Sequence, residues 1–403
     1  MIQKNNKITL RNKWLNDLKH KSLIVISALI FLLLSEYVFT LPRIHDDWLK
    51  PFKLLVEHVQ FTDFFFRLHR HSDVPIVDGR QVVVLDISEY STRKEIASLL
   101  GSVADVEPYA VALDVIFGPI AATDSLMDRK LVTAINRLPN VVLASVMRPT
   151  VDGKFSYDQS FFTEEVQTTE AVSNFPSTII REWSPKLVFE QDTMISFDAA
   201  VLAKMGIEIP HQADHWLVDY SINDIVVFNP KNSFDWTFLR NQVVLIGDIN
   251  DLRDLQLIPV SYQASTRVSG VMVHKQILQT AMSGHWFRRI HTVWFWVILF
   301  ILMWSYSVSQ KIVATYIEEV CEQENRDIYK KVAKKIVFCL IFSIFLAFSY
   351  GLFWNHFLYF DVTKMLLYIG VIGVIEWFLK KVQQNVKMWK AYIQRKNLKS
   401  SIQ

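Results

Sequence analysis

The chain has 403 residues, of which 51% are apolar and 13% aromatic, with 11 glycines and a formal net charge of +3. Soluble domains reach about 45–50% apolar residues only with glycine counted, so this composition, at a mean hydropathy of +0.19, suggests membrane segments and excludes a disordered chain. The small net charge leaves no nucleic-acid footprint, and with Cys321 and Cys339 as the only cysteines, residues 1–320 hold no disulfide, CxxC redox pair or cysteine-ligated zinc.

In chain order, residues 1–21 form a basic leader carrying Lys4, Lys7, Arg11, Lys13, Lys19 and Lys21. Residues 22–41 are apolar apart from Glu36, long enough at about 20 residues to span a bilayer. A cleaved signal peptide is the rival, but the bulky residues from Tyr37 to Arg43 offer no small-residue cleavage site. Further spans are expected at 291–310, 336–356 and 360–379, the last requiring Lys364 and Glu376 to sit near opposite interfaces. Residues 311–335 are expected as a charged, helix-prone cytoplasmic loop. Residues 380–403 form a basic tail with Lys380, Lys381, Lys387, Lys390, Arg395, Lys396 and Lys399. Positive charge at both ends predicts cytoplasmic termini and an even number of spans, which places residues 42–290 outside the cytoplasm.

Within 42–290, strand-like and helix-like segments alternate. An amphipathic helix is predicted over Pro51–Arg70, and strands over 81–87 (QVVVLDI), 109–115 (YAVALDV) and 140–146 (NVVLASV). Two more strands are predicted over 224–228 and 242–247. Helices are expected over about 92–103, 124–137 and 268–282, the last closed by Gly284 as a C-cap. This alternation predicts an α/β domain with a largely parallel sheet and helices on both faces. Residues 150–222 carry no readable period.

Ligands of open parallel sheets favour the carboxyl ends of the strands. Three predicted strands end in an acid, at Asp86, Asp114 and Asp248. Clustered, these carboxylates would bind a cation or the hydroxyls and amines of a ligand; singly, they would cap the turns that follow. Asp248, Asn250, Asp251 and Asp254 crowd one loop, but their order and the missing glycine depart from a calcium loop. His274 reads as a hydrogen-bonded packing histidine rather than a ligand. His211 and His215 follow Pro210 and lack the glutamate of a zincin helix. There is no GxSxG, P-loop or GxGxxG. No enzyme, metal or cofactor is expected.

The ordered blocks beginning FFFRL at 64–68 resemble a known family. They continue through VVVLDISE at 82–89, ALDVIFGP at 112–119, NVVLASV at 140–146, VVLIGD at 243–248 with Pro259, and GVMVHKQILQTAMSG at 270–284. This set is similar to the type 2 CHASE domain, an extracytoplasmic sensory domain associated with cyclases and histidine kinases, usually followed by three membrane helices. STRKEIASLLGS stands where that family carries a block rich in tryptophan and proline. The resemblance implies a sensor in the inner membrane, the bulk of its chain periplasmic, that detects a small-molecule ligand or a partner. The tail is too short for an output domain, so the signal is expected to pass to a separate protein. A scaffolding subunit of an envelope complex is the alternative, and a homo-oligomer fits either.

Overall fold

The computed structural model describes Ile26, Ile30 and residues 60–389, less 71–72, 74, 119–124, 151, 153, 167, 176–178, 190–191, 212–213, 223–225, 233–234, 260–266, 367, 371–380, 383, 387. The leader, most of the expected span over 22–41, the second half of the span over 360–379 and the end of the tail lie outside the described residues. The chain divides into two compact units. The sheet unit comprises Thr62–Arg289 with Phe353–Tyr359; the helical unit comprises the flanking sequence.

The sheet unit is α/β. Its central strands are β1 (Val82–Asp86), β2 (Ala110–Leu113), β3 (Val141–Pro149) and β11 (Val243–Gly247). β1, β2 and β11 are buried at every position, which is why they read as unbroken β-branched or aliphatic runs instead of alternating. The sheet order is β10-β1-β11-β2-β3-β4, with β10 at Val227–Phe228 and β4 at Phe155–Asp158. All of these pairings are parallel except β3 with β4.

Helices cover both faces. On one side lie α2 (Arg93–Asp105) and α3 (Ser125–Asn136), following α1 (Phe61–Leu68). α2 starts at a capping box, in which the Thr92 side chain accepts from the Glu95 amide and the Glu95 carboxylate accepts from the Thr92 amide. Leu100, Val103, Leu131 and Ile135 pack there against Val83, Leu85, Val111, Leu113, Val244 and Ile246, one side of each strand. The alternate strand residues face α4 (Phe197–Lys204) and α5 (Gly270–Ser283). α5 stops at Gly284, whose φ of 72° closes the helix as expected.

The stretch 150–222 is an excursion built from short pieces. β4 and β5 (Thr169–Val172) pair with successive halves of β3. A hairpin of β7 (Lys186–Phe189) and β8 (Asp192–Ile195) leads into α4, and β6 (Glu182–Trp183) pairs with β9 (Trp216–Leu217).

In the helical unit, α6 (Thr292–Val320) and α7 (Arg326–His356) are long and apolar enough to cross a membrane. The helix-prone 311–335 segment is mostly helix, with Cys321–Asn325 between α6 and α7. The physical reason is that charge ends compatibility with lipid but not helix formation: Glu, Lys and Ala are good helix formers in water. Lys330 and Glu318 pair at 2.6 Å across the turn. At 1.5 Å per residue α6 is about 44 Å long, more than the ~30 Å hydrocarbon core of a bilayer. Phe295, Leu299 and Met303, one turn apart along α6, pack with Phe345, Phe360, Val362 and Met365. Past α7 the Lys364 amide donates to Asp361 Oδ1 at 2.8 Å.

Candidate functional site

Because β11 lies between β1 and β2, the ends of the three strands that carry Asp86, Asp114 and Asp248 are neighbours. Asp86 is in register with Gly247, and the Asp114 amide donates to the Ile246 carbonyl at 2.8 Å. The three aspartates therefore share one sheet edge, yet their carboxylates have different company.

Asp86 is buried and tied into loop hydrogen bonds. Its Oδ1 accepts from the Ser88 amide at 2.9 Å and the Ile249 amide at 3.3 Å, and its Oδ2 accepts from Ser88 Oγ at 2.9 Å. Asp248 Oδ1 accepts from the Asn250 amide at 2.8 Å, and Asn250 Nδ2 donates to Ser88 Oγ at 3.0 Å. These two carboxylates thus fasten the β1 and β11 loops to each other, the capping role open to them from the sequence.

Asp114 belongs to another group. By strand alternation it lies on the α4 and α5 side, as does Gly247, where a side chain would run into Val271 of α5. The charged groups around it are His274, Asp254 and Asp198. His274 sits on the second turn of α5, 2% exposed, with Nδ1 at 2.9 and 3.0 Å from the two carboxylate oxygens of Asp198. Phe175 and Phe197 flank the imidazole, ring centres 4.7 and 5.0 Å away. Asp198 stands in the first turn of α4, whose N-cap Ser196 accepts from the Ala199 amide. Asp254 accepts from the Gly270 amide at 2.9 Å at the start of α5. A Cβ on Gly270 would fall 2.2 Å from that carboxylate, so only glycine admits the acid there. Two helix N-termini, each favouring negative charge, thus converge with a strand end on one imidazole.

The electrostatics follow from crowding. Burial and two like charges push the Asp114 carboxyl up to about 6, against the pull of His274. Asp254 is also raised, chiefly by burial. Burial works to lower the His274 imidazole, but the charge and hydrogen bond of Asp198, with Asp114 and Asp254, outweigh it and raise it to about 9. At neutral pH the centre holds an imidazolium among carboxylates. It borders a small pocket lined by Asn174, Trp183, Ser196, Asp198 and His274 among others. Among the described residues the buried Trp183 indole N–H meets no hydrogen-bond partner. Among the described residues no three His, Cys, Asp or Glu side chains are arranged to hold a metal.

Sequence reading grouped Asp114 with Asp86 and Asp248, assigned His274 a packing role and noted Asp254 only as part of an acidic loop. It missed Asp198, which sits in the stretch without a period. The local signal was SFDAAVLAKMG at 196–206: a Ser N-cap, a short apolar helix and a terminal glycine. A second pair joins His285 Nδ1 to the fully buried Asp219 at 2.7 Å just past α5.

No curated protein and no solved structure matches the chain. The family model for the CHASE2 domain matches residues 28–309. That match covers the whole sheet, α4, α5 and every member of the acid–imidazole centre, and the chain belongs to the CHASE2 domain family of extracytoplasmic sensory domains.

Proposed function

We propose that this chain is a non-enzymatic, multi-pass inner-membrane sensor. In this reading its sheet unit lies outside the cytoplasm, four helices cross the bilayer, both termini are cytoplasmic and the output is a separate protein. The observation that carries it is the centre joining Asp114, Asp198, Asp254 and His274 in a domain of a sensory family. Buried charges of this kind are costly to keep, and they sit where α/β sheets take ligands. Occupation of that centre would bias how α4 and α5 seat on the sheet edge. The chain then runs from the end of α5 at Ser283 through the short strand Arg288–Arg289 to α6 at Thr292, a short covalent route for the change. Coupling requires different affinities for two states.

Crosslinking in native membranes, with mass spectrometry of what co-purifies, tests the reading. Capture of a kinase, cyclase or protease, weakened by Asp198→Ala in protein that still folds, is the expected result. Stoichiometric envelope proteins whose capture ignores that substitution would replace the sensor with a scaffold. Topology is checked through Cys321, half-buried in the α6–α7 turn. With Cys339→Ser, an impermeant maleimide should label it only after the inner membrane is opened.

A further inference from the structure

The consecutive residues Arg181, Glu182, Trp183 and Ser184 each hold a different part of the sheet unit. Trp183 and Ser184 line the pocket that Asp198 and His274 border. Arg181, buried one residue before β6, donates from Nε and Nη2 to the two carboxylate oxygens of Asp63 on α1, at 3.1 and 2.9 Å. A bidentate pair of this kind fixes orientation as well as distance. Glu182 Oε1 accepts from Arg289 Nη2 at 3.1 Å and from the Tyr359 hydroxyl. Backbone bonds tie the same pieces together. β6 pairs with β9, the Leu217 amide donates to the Phe287 carbonyl at 3.0 Å, and the Arg288 amide donates to the Phe357 carbonyl at 2.9 Å. The residues held at the far end share an address. The chain passes between its two units at four points, after Phe61, Arg289, Leu352 and Tyr359. Asp63, Arg289 and Tyr359 stand at three of these crossings. At the fourth, Phe353 packs with Phe66 of α1 and with Phe287, ring centres 5.1 and 4.5 Å apart.

We propose that residues 181–184 are the transmission segment of the sheet unit, which follows the pocket through Trp183 and Ser184 and moves three chain crossings together through Arg181 and Glu182. The inference deepens the sensor reading of the same site and rests on it. A strand piece bonded along its backbone on one side and packed on the other shifts as a unit. Displacement of Trp183 from the pocket therefore carries the guanidinium of Arg181 and the carboxylate of Glu182 with it. Packed interiors and their ion pairs yield in discrete rearrangements, not by gradual stretching, so a small change at the pocket becomes a change of seating at the crossings. The covalent path from α5 to α6 serves one crossing; this segment serves three.

The test uses the full chain in nanodiscs, with hydrogen exchange read over 62–68, 287–289 and 357–359. The pocket is perturbed by Asp198→Asn, which keeps the shape of the acid and removes its charge, and independently by Leu187→Trp, which adds bulk at the pocket wall. Each should change exchange several-fold in all three segments. In a Glu182→Ala background the response of 287–289 and 357–359 should be lost while that of 62–68 persists. With Asp63→Asn the pattern should reverse. A residue that only stabilises the fold would weaken protection everywhere and give no such split. Crossings that ignore both pocket variants, or a response at 287–289 and 357–359 that survives Glu182→Ala, overturn the proposal. Glu182 is half-buried, so its variant decides even if Asp63→Asn does not fold. The exchange is measured without a partner, which separates it from the sensor reading. A split response beside capture of envelope proteins alone keeps the transmission segment and removes the sensor; no response beside a captured kinase does the reverse.

Discussion

The two faces of the sheet differ in what they bury beside their apolar side chains. The face under α2 and α3 is covered by Ile96, Leu99, Leu100, Val103, Leu131 and Ile135, aliphatic side chains with no polar atom to satisfy. The face under α4 and α5 buries Asp198, His274, Lys275, Gln279 and Thr280. Both bury aliphatic side chains, Val201, Leu202, Ile277 and Leu278 among those of α4 and α5, but the first is held by area removed from water, which hardly depends on pH, and the second adds charges whose worth changes with every proton. A domain that must stay folded while something about it changes is served by this division. One side supplies stability, and the other is poised between states.

The comparison is broken most severely by Asp198→Ala. It strands the His274 imidazolium in the interior, and breaking a buried pair from one side costs about 3–5 kcal/mol. The loss should be greatest below pH 6.5 and shrink as His274 deprotonates toward about 9, read as the midpoint of thermal unfolding in detergent at several pH values. A midpoint like the parent's at pH 7 would deny the pair its role.

On the other face, Leu100→Ala empties a fully buried site and should cost about 3 kcal/mol. Here the decrement should be the same at pH 5 and pH 9. A pH-dependent loss would mean the faces are not independent.

A smaller effect sharpens the contrast without touching packing. His274, raised in the fold to about 9, contributes stability that is full below its ordinary 6.5 and lost as pH climbs through 9. Asp114, raised to about 6, prefers its proton in the fold, so its contribution grows as pH falls through 6 toward its ordinary 3.8. The two act in the same direction, and stability from this face declines from pH 4 to pH 9. Asp114→Asn should flatten the lower half of that slope and leave the upper half intact. The smallest effect is expected from Thr92→Ala, which removes the α2 cap at a cost of about 1 kcal/mol; its only effect on titration is through Glu95, whose carboxyl the Thr92 hydroxyl holds below its ordinary range, and the slope from the α4–α5 face should not change.

Much of the fold could be read in the sequence because the central strands are buried on both faces. VVVLD and VVLIG admit no solvent-facing residue, and the helices between them carry clear stops. What stayed hidden is non-local. Nothing in residues 242–247 announces that this strand belongs between β1 and β2, since register over that distance is set by the finished core. The site was legible to the extent that Asp114 ends a strand. Its partner Asp198 follows a lone Ser cap in a stretch of short antiparallel pieces, where no period survives to be counted. The 311–335 segment was legible for the reverse reason, as its Glu, Lys and Ala residues favour helix while their charges speak only about solvent.

The position of β11 also bears on how the domain is made. Gln81 at the start of β1 is bonded by Gln242, 161 residues later, so the centre of the sheet is its last part to be synthesised. Until residues 243–247 arrive, β1 and β2 have no common neighbour, and each offers a bare edge to any other extended chain. Contacts this distant in sequence form slowly. A nascent chain halted before residue 243 therefore holds α2, α3, α4 and every strand of the sheet except β11 but no closed core, and should be recognised by folding helpers or proteases as unfinished. The last strand to emerge admits the domain to its folded state.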